Sequence, residues 1–145
     1  MADRHMLVLA HAARPDALAG AAEVCERLRA AGATPVVAPE GHPLRVDGVG
    51  DVVTLDDGAP LAGIELTIVL GGDGTILGAA ELMRESSAPL LGINHGHVGF
   101  LAESERDDLE WTVAQALAGD YDVDERLVLD VVVRDGDSEV FRTFA

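Results

Sequence analysis

The stretch Leu66–Leu77, "LTIVLGGDGTIL", joins an apolar run to a turn that holds three glycines and one acid. The run has the composition of a strand buried on both faces. The glycines allow positive φ angles and remove Cβ atoms, so consecutive N–H groups can point at one spot. A helix opening near Thr75 adds its positive end, which favours an anion. The turn therefore predicts a phosphate site that contains one carboxylate, Asp73.

Strands and helices alternate on both sides of this turn. The apolar run predicts a strand over 65–70, and further runs predict strands over 6–10, 34–38 and 89–94. Periodic patterns predict helices over 15–31, 75–84 and 108–118, with Pro15 in the first turn of the first helix and Gly119 closing the last. The segment 39–63 is expected to be a long loop with one short ordered element at 52–55. The pattern predicts an α/β fold for residues 1–122, a Rossmann-like parallel sheet with helices on both faces. Ligands gather at the carboxyl ends of such strands, and Asp73 follows one of them.

The last segment, 123–145, changes character. Leu127, Leu129, Val131 and Val133 alternate with polar residues, as in a strand with one buried face. A turn signal at 135–137 and a second run from Glu139 follow. These residues are expected to be the first strands of a β-rich second domain that is incomplete here.

Composition excludes several classes of partner. The 145 residues carry a net charge of −16, and all ten basic residues are arginines. Such a surface repels nucleic acids and anionic membranes, so neither is expected as a partner. Without lysine, a phosphate ligand needs backbone N–H groups, arginine or a metal ion. No run is long enough to cross a bilayer and no secretory signal is evident, which predicts a cytoplasmic protein.

A second glycine-rich stretch, "LGINHGHVGFLAE", covers residues 91–103 and follows the next predicted strand. Asn94 offers a hydrogen-bond donor and an acceptor, and Phe100 offers a surface for a base or a nicotinamide-like ring. Two such turns at adjacent strand ends are expected to form opposite walls of one cleft. The first motif alone leaves open that Asp73 merely caps its helix.

With both motifs in this order and at this separation, the chain resembles the amino-terminal domain of the NAD kinases. The run "DERLVLDVVV", residues 124–133, is similar to the lead into the family's second domain. The resemblance implies phosphorylation of the adenosine ribose 2′-hydroxyl of NAD to give NADP. ATP, or polyphosphate in some members, is the donor, with Mg²⁺ or another divalent metal. In this resemblance Asp73 is the base that activates the hydroxyl. The implied binding residues are Gly71, Gly72 and Thr75, which shape the phosphate turn, Gly74, which approaches the dinucleotide, and Asn94 and Phe100, which line the NAD site.

Two departures from the family pattern matter. Many members carry a basic or polar side chain where this chain has Gly78. The family's Asn-Glu motif, which contacts NAD, belongs to a carboxyl-terminal domain that these 145 residues lack. We therefore expect the fragment alone to be inactive, and the full-length protein to be a homo-oligomer. Two other interpretations stay open: another kinase with the same turn, acting on a lipid or a sugar, or a non-catalytic nucleotide-binding module.

The remaining candidate residues have simpler interpretations. Cys25 is expected to be a small buried side chain. No metal ligands are assigned, and His95 and His97 are expected to be structural or solvated. His11 and Arg14 follow the first strand, where a phosphate contact is one interpretation. Asp107, Asp108 and Glu110 are expected to form a solvated helix start, and Trp111 is expected to pack.

Overall fold

The computed structural model describes residues 3–95, 102 and 104–144. The strands are β1 His5–Ala10, β2 Thr34–Val37, β3 Val53–Leu55, β4 Gly58–Ala59, β5 Ile64–Gly71, β6 Leu90–Asn94, β7 Ser104–Glu105, β8 Asp130–Asp135 and β9 Ser138–Phe144. The helices are α1 Pro15–Ala30, α2 Asp73–Leu82 and α3 Leu109–Ala118, with 3₁₀ turns at Leu61–Gly63 and Arg106–Asp108.

The first seven strands form one parallel sheet in the order β4-β3-β2-β1-β5-β6-β7. From β1 the chain moves outward through β2, β3 and β4, and from β5 it moves outward in the other direction. The strand order therefore reverses between β1 and β5. Open parallel sheets bind ligands at this kind of position, in the crevice beyond the carboxyl ends of the strands.

Apolar side chains fill both faces of the sheet. One core cluster packs α1 and α3 against one face, through residues such as Val24 and Val113. The other packs α2 against the opposite face, through Ala79. Helices on both faces and a parallel sheet confirm the predicted α/β class.

Several local predictions are confirmed. Pro15 is the first residue of α1, where its missing N–H costs nothing. Gly119 follows α3 in the left-handed conformation, with φ +71°. Cys25 is fully buried, and burial raises the pKa of its thiol to about 11.

Within the described residues, no helix has the length and apolar character that crossing a membrane requires.

Other local predictions are wrong. In the segment 39–63 the expected element at 52–55 is present as β3, but β4 and a 3₁₀ turn follow where only loop was expected. Trp111 is 64% exposed and so does not pack as expected.

The tail forms the expected hairpin, with β8 antiparallel to β9 and Gly136 in the turn at φ +63°. The expected buried face is absent. Leu127, Leu129 and Val133 are exposed by 93%, 59% and 47%, because no element of the described chain covers this side of the hairpin. Strand β8 also begins only at Asp130, so Leu127 and Leu129 lie before it.

Candidate functional site

Three chain segments meet where the strand order reverses. The loop after β1, the turn after β5 and the end of β6 adjoin one another, since β5 lies between β1 and β6. The register pairs Gly71 with Asn94. Backbone hydrogen bonds extend it, from His11 N to Leu70 O at 3.1 Å and from His95 N to Gly71 O at 3.2 Å. The two motifs are therefore neighbours at the carboxyl edge of the sheet, the edge at which the parallel strands end.

Gly71 is required by packing. Its φ is +159°, and a Cβ placed on it would lie 2.5 Å from Oγ1 and 2.7 Å from Cβ of Thr75. Thr75 is buried one helical turn further on, so its side chain occupies the space that a side chain at 71 would need. The Gly71–Thr75 contact fixes how tightly α2 turns back over the end of β5.

Gly72 and Gly74 differ from Gly71. Neither has a positive φ, so neither uses the backbone conformation that glycine allows. An added Cβ would meet nothing within 4 Å at either position. Among the described residues, no protein packing demands glycine there. Their effect is to leave bare backbone and open space on the outside of the turn.

Asp73 is the first residue of α2, and its side chain is half-buried. The N-cap position belongs to Gly72, so Asp73 is not the N-cap residue of its helix. Its carboxylate lies in the first turn, where the helix dipole favours a negative charge. An acid thus stands beside the open surface of the two bare glycines.

Asn94 is the last residue of the neighbouring strand β6 and pairs with Gly71. It is only 6% exposed, and its Oδ1 has no hydrogen-bond partner within the described residues. Ile93 belongs to the core on the α1 face, so strand alternation turns Asn94 toward the α2 face. A buried acceptor without a donor is costly and needs an explanation.

His95 lies beneath α1. It is fully buried, and a Cβ added to Gly20 would lie 2.9 Å from its Nε2. Nδ1 is 3.5 Å from the carbonyl of Ile93, and Nε2 has no partner in the part of the chain that the structure describes. Of the two interpretations of His95, the structural one is thus confirmed. His97 and Phe100 lie outside the described residues.

Arg14 links the first and third of these segments. It is the N-cap residue of α1, and its Nη1 donates a hydrogen bond of 2.6 Å to the carbonyl of His95. His11, three residues earlier, accepts a hydrogen bond at Nδ1 from the N–H of Ala13. The sequence placed Arg14 at a strand end but gave no signal for its contact with His95.

Gly78 has a packing explanation. A Cβ at this position would lie 3.3 Å from Cδ1 of Leu44, which comes from the segment between β2 and β3. Leu44 in turn accepts a hydrogen bond at its carbonyl from the N–H of Ala10, at 3.3 Å. A larger side chain at position 78 would therefore press against the side chain of Leu44.

The expected solvated start of α3 is confirmed in part. Asp107 and Asp108 are exposed. Glu110 is also exposed but lies 3.4 Å from Nη1 of Arg27 on α1. In the described parts of the chain, no three His, Cys, Asp or Glu residues cluster as metal ligands.

A family model described as the ATP-NAD kinase N-terminal domain matches residues 6–121. The chain belongs to this family. It is 53% identical to an NAD kinase of Leifsonia xyli over 99% of this chain and 48% of that protein. It is 51% identical to an NAD kinase of Thermobifida fusca, over 92% of this chain and 42% of that one. The chain thus spans about half the length of the curated NAD kinases it matches.

The fold agrees with this assignment. A crystal structure of yeast NADH kinase complexed with NADH superposes with a TM-score of 0.74, at 19% identity. The match covers 99% of this chain and 46% of the yeast kinase. It shows that this chain, from the α/β sheet to the hairpin, has the fold of about half of that kinase.

Proposed function

We propose that this chain is the part of an NAD kinase that carries the catalytic base. The reaction is transfer of the γ-phosphoryl group of ATP to the adenosine ribose 2′-hydroxyl of NAD, which gives NADP and ADP. Inorganic polyphosphate is the second donor that the family resemblance suggests. The proposal rests on membership of the NAD kinase family and on the geometry of the site.

The observation that carries the proposal is the pairing of Gly71 with Asn94. It joins the start of the turn that holds Asp73 to Asn94, whose buried Oδ1 has no partner among the described residues. An acceptor in that position suits an N–H or O–H group of a bound nucleotide. The open space outside Gly72 and Gly74 suits a flat or bulky ligand that approaches the backbone closely.

In this proposal the Asp73 carboxylate accepts the proton of the ribose 2′-hydroxyl. The 2′-oxygen forms a bond to the γ-phosphorus, and the bond from that phosphorus to the β–γ bridging oxygen breaks. The electron pair leaves with ADP. Phosphoryl transfer depends mostly on positioning and charge stabilisation, so one well-placed carboxylate suits the task.

The residues present fit a divalent cation that is bound mainly through phosphate oxygens. Mg²⁺ commonly uses one or two carboxylates together with substrate phosphates, and Asp73 is the carboxylate that this turn offers. When bound, such a metal offsets the negative charge of the phosphates. Phe100, Gly71, Gly72, Gly74 and Thr75 keep the binding roles that the family resemblance implies for them.

The direct test uses a polypeptide in which this chain is extended to the length of its relatives. We expect it to form NADP from NAD and ATP. The product is measured by coupled reduction with an NADP-specific dehydrogenase. Diacylglycerol replaces NAD in a parallel assay that tests the lipid-kinase alternative. Phosphorylation of the lipid but not of NAD would overturn the proposal.

The 145-residue chain alone should form no NADP under the same conditions. The family resemblance places further NAD contacts in a carboxyl-terminal domain. The chain covers 48% and 42% of the length of two NAD kinases that it matches. NADP formation by the purified fragment would contradict this part of the proposal. The homo-oligomeric state and the cytoplasmic location stay predictions.

A further inference from the structure

The arginines within residues 1–122 fall into two groups, those that pair with a carboxylate and those that do not. Among those whose side chains the structure describes, four form ion pairs with carboxylates: Arg4, Arg27, Arg45 and Arg84. Arg14 and Arg29 form no such pair among the described residues. In a chain of net charge −16, a cation without a neighbouring acid is unexpected unless another anion uses it.

Arg14 and Arg29 occupy opposite ends of α1. Arg29 lies in the last turn, at the amino edge of the sheet, and its Nη1 donates to the carbonyl of Asp51 at 3.1 Å. Arg14 lies at the first turn, at the carboxyl edge, and its Nη1 donates to the carbonyl of His95 at 2.6 Å. Each guanidinium therefore uses one N–H on a backbone carbonyl.

The contact with His95 fixes where the guanidinium of Arg14 lies. Arg14 follows β1 and His95 follows β6, while β5 runs between these strands. His95 also donates its own N–H to Gly71, the last residue of β5. The guanidinium must therefore span the end of β5, beside the turn that begins at Gly72. This is the point where the strand order reverses.

We infer that Arg14 is a phosphate-binding residue of this site, and that the carbonyl of His95 holds it in place. One Nη1–H is used on His95, and the remaining N–H groups have no partner among the described residues. A guanidinium held in this way presents a planar fork that matches two oxygens of a phosphate. It supplies the positive charge that a lysine-free chain needs at a phosphate site.

The ligand class is a phosphate chain, and two sources share this chemistry: the polyphosphate of the donor and the pyrophosphate of NAD. The inference rests on the proposed function for the identity of these two ligands. Binding of a simple phosphate chain, however, requires no catalysis. Arg14 can thus be tested whether or not NADP is formed.

The experiment measures binding of two probes to the 145-residue chain by calorimetric titration: inorganic tripolyphosphate, for the donor, and NAD, for the pyrophosphate. R14Q should weaken binding of at least one probe by about tenfold or more, which corresponds to about 1.4 kcal/mol. R14K retains the charge but not the planar fork and should fall between wild type and R14Q. Which probe is affected identifies the source of the phosphate.

R29Q is the matched control, because it removes the same charge and a comparable carbonyl contact from the other end of the same helix. It should change affinity for either probe by less than about twofold. If R29Q and R14Q weakened affinity for the probe equally, the loss would come from net charge alone, and the inference would be overturned. Unchanged affinity in R14Q, or no binding of either probe to wild type, would overturn it as well.

A measurement on the wild-type chain guards against an R14Q variant that does not fold. In nuclear magnetic resonance spectra, the side-chain N–H resonances of Arg14 should shift and exchange more slowly with solvent as the probe is added. Those of Arg29 should stay unchanged. No response of Arg14 at saturating probe would overturn the inference. If Arg14 binds phosphate but the extended polypeptide forms no NADP, the proposed function fails and the inference stands.

Discussion

Glycines that are adjacent in the sequence have different tasks in the turn after β5. Gly71 has no room for a Cβ, because Thr75 lies 2.5 Å from where it would be. A Cβ added to Gly74 would meet no atom within 4 Å. The first glycine therefore serves the fold, and the second is free to serve a ligand. Substitution by alanine separates the two effects.

We expect Gly71→Ala to lower the free energy of unfolding by about 2 kcal/mol or more, because the new methyl group overlaps Thr75. Gly74→Ala should leave stability unchanged or raise it by up to about 1 kcal/mol, since alanine favours a helix. Urea unfolding of the 145-residue chain measures both. Equal loss of stability in the two variants would contradict this division.

The same pair separates binding from folding in the extended polypeptide. Gly74→Ala fills space that we assign to the dinucleotide, so it should weaken NAD binding by about tenfold or more. Binding at wild-type strength in a folded Gly74→Ala protein would show that the ligand does not approach this backbone.

At the scale of elements, the end of β6 is fixed by its contact with α1. Gly20 allows the helix to approach the fully buried ring of His95, and a Cβ there would lie 2.9 Å from both His95 Nε2 and Leu70 Cδ2. Gly20→Ala should therefore cost about 1–2 kcal/mol of stability, although alanine is the better helix former. In a His95→Ala background the cost should fall, because only the contact with Leu70 Cδ2 remains. An unchanged cost in the double-mutant cycle would show that the two sites are not coupled.

Strand β5 is tied to the residue before β1 by an ion pair. Arg4 donates from Nε and Nη2 to Glu65, at 3.0 and 2.7 Å. These hydrogen bonds hold the pKa of Glu65 below its ordinary value of about 4.5. The pair therefore adds stability above that value, and the contribution is lost as the pH falls through the folded-state pKa.

We expect Glu65→Gln to cost at most about 1 kcal/mol at neutral pH, because both side chains are a third exposed. The difference from wild type should shrink as the pH falls below about 4.5, measured by urea unfolding across the acid range. Glu26→Gln, an exposed change on α1, is the control. A difference that stays constant down to strong acid would argue against the ion pair.

The elements also show what the sequence could and could not reveal. Strands β1, β5 and β6 were predicted to within about a residue, because burial on both faces leaves a continuous apolar run. Strand β3 coincides with the short element expected at 52–55, whereas β4 has two residues, too few for any periodicity to be detected. The start of α2 was placed at Thr75, two residues late, because Gly72 at the N-cap carries no side chain that marks a helix start.

The site was predictable to the extent that it follows from strand order. Two glycine-rich motifs after consecutive strands implied adjacent turns, and the pairing of Gly71 with Asn94 confirms it. The bond from Arg14 to His95 joins residues that are 81 positions apart, and no local pattern encodes it. It depends on β5 being inserted between β1 and β6, which only the folded sheet determines.

At the scale of the whole molecule, the two core clusters belong to the parallel sheet, its helices and the loops between them. Their members extend no further than Leu117, and the hairpin contributes none of them. One described link to the hairpin is the ion pair of Arg84 with Asp130, at 3.3 Å on the surface. The α/β domain should therefore fold without the hairpin.

We expect residues 1–122 to unfold in a single cooperative transition, with a midpoint within about 5 °C of the 145-residue chain. Calorimetry measures both, and Asp130→Asn in the longer chain removes the ion pairs of Asp130 with Arg84 and with Arg142. A fragment 1–122 that lacks a cooperative transition would show that the hairpin is part of the folding unit.

We propose that in the whole enzyme Asp73 accepts the proton of the ribose 2′-hydroxyl. The most direct test is Asp73→Asn in the extended polypeptide, with turnover and NAD affinity measured separately. Loss of a general base should lower kcat by about 100- to 10,000-fold. Affinity for NAD should change by less than about threefold, since asparagine keeps the shape of the side chain. Turnover at the wild-type rate, or loss of NAD binding as large as the loss of turnover, would contradict the role of Asp73 as the base.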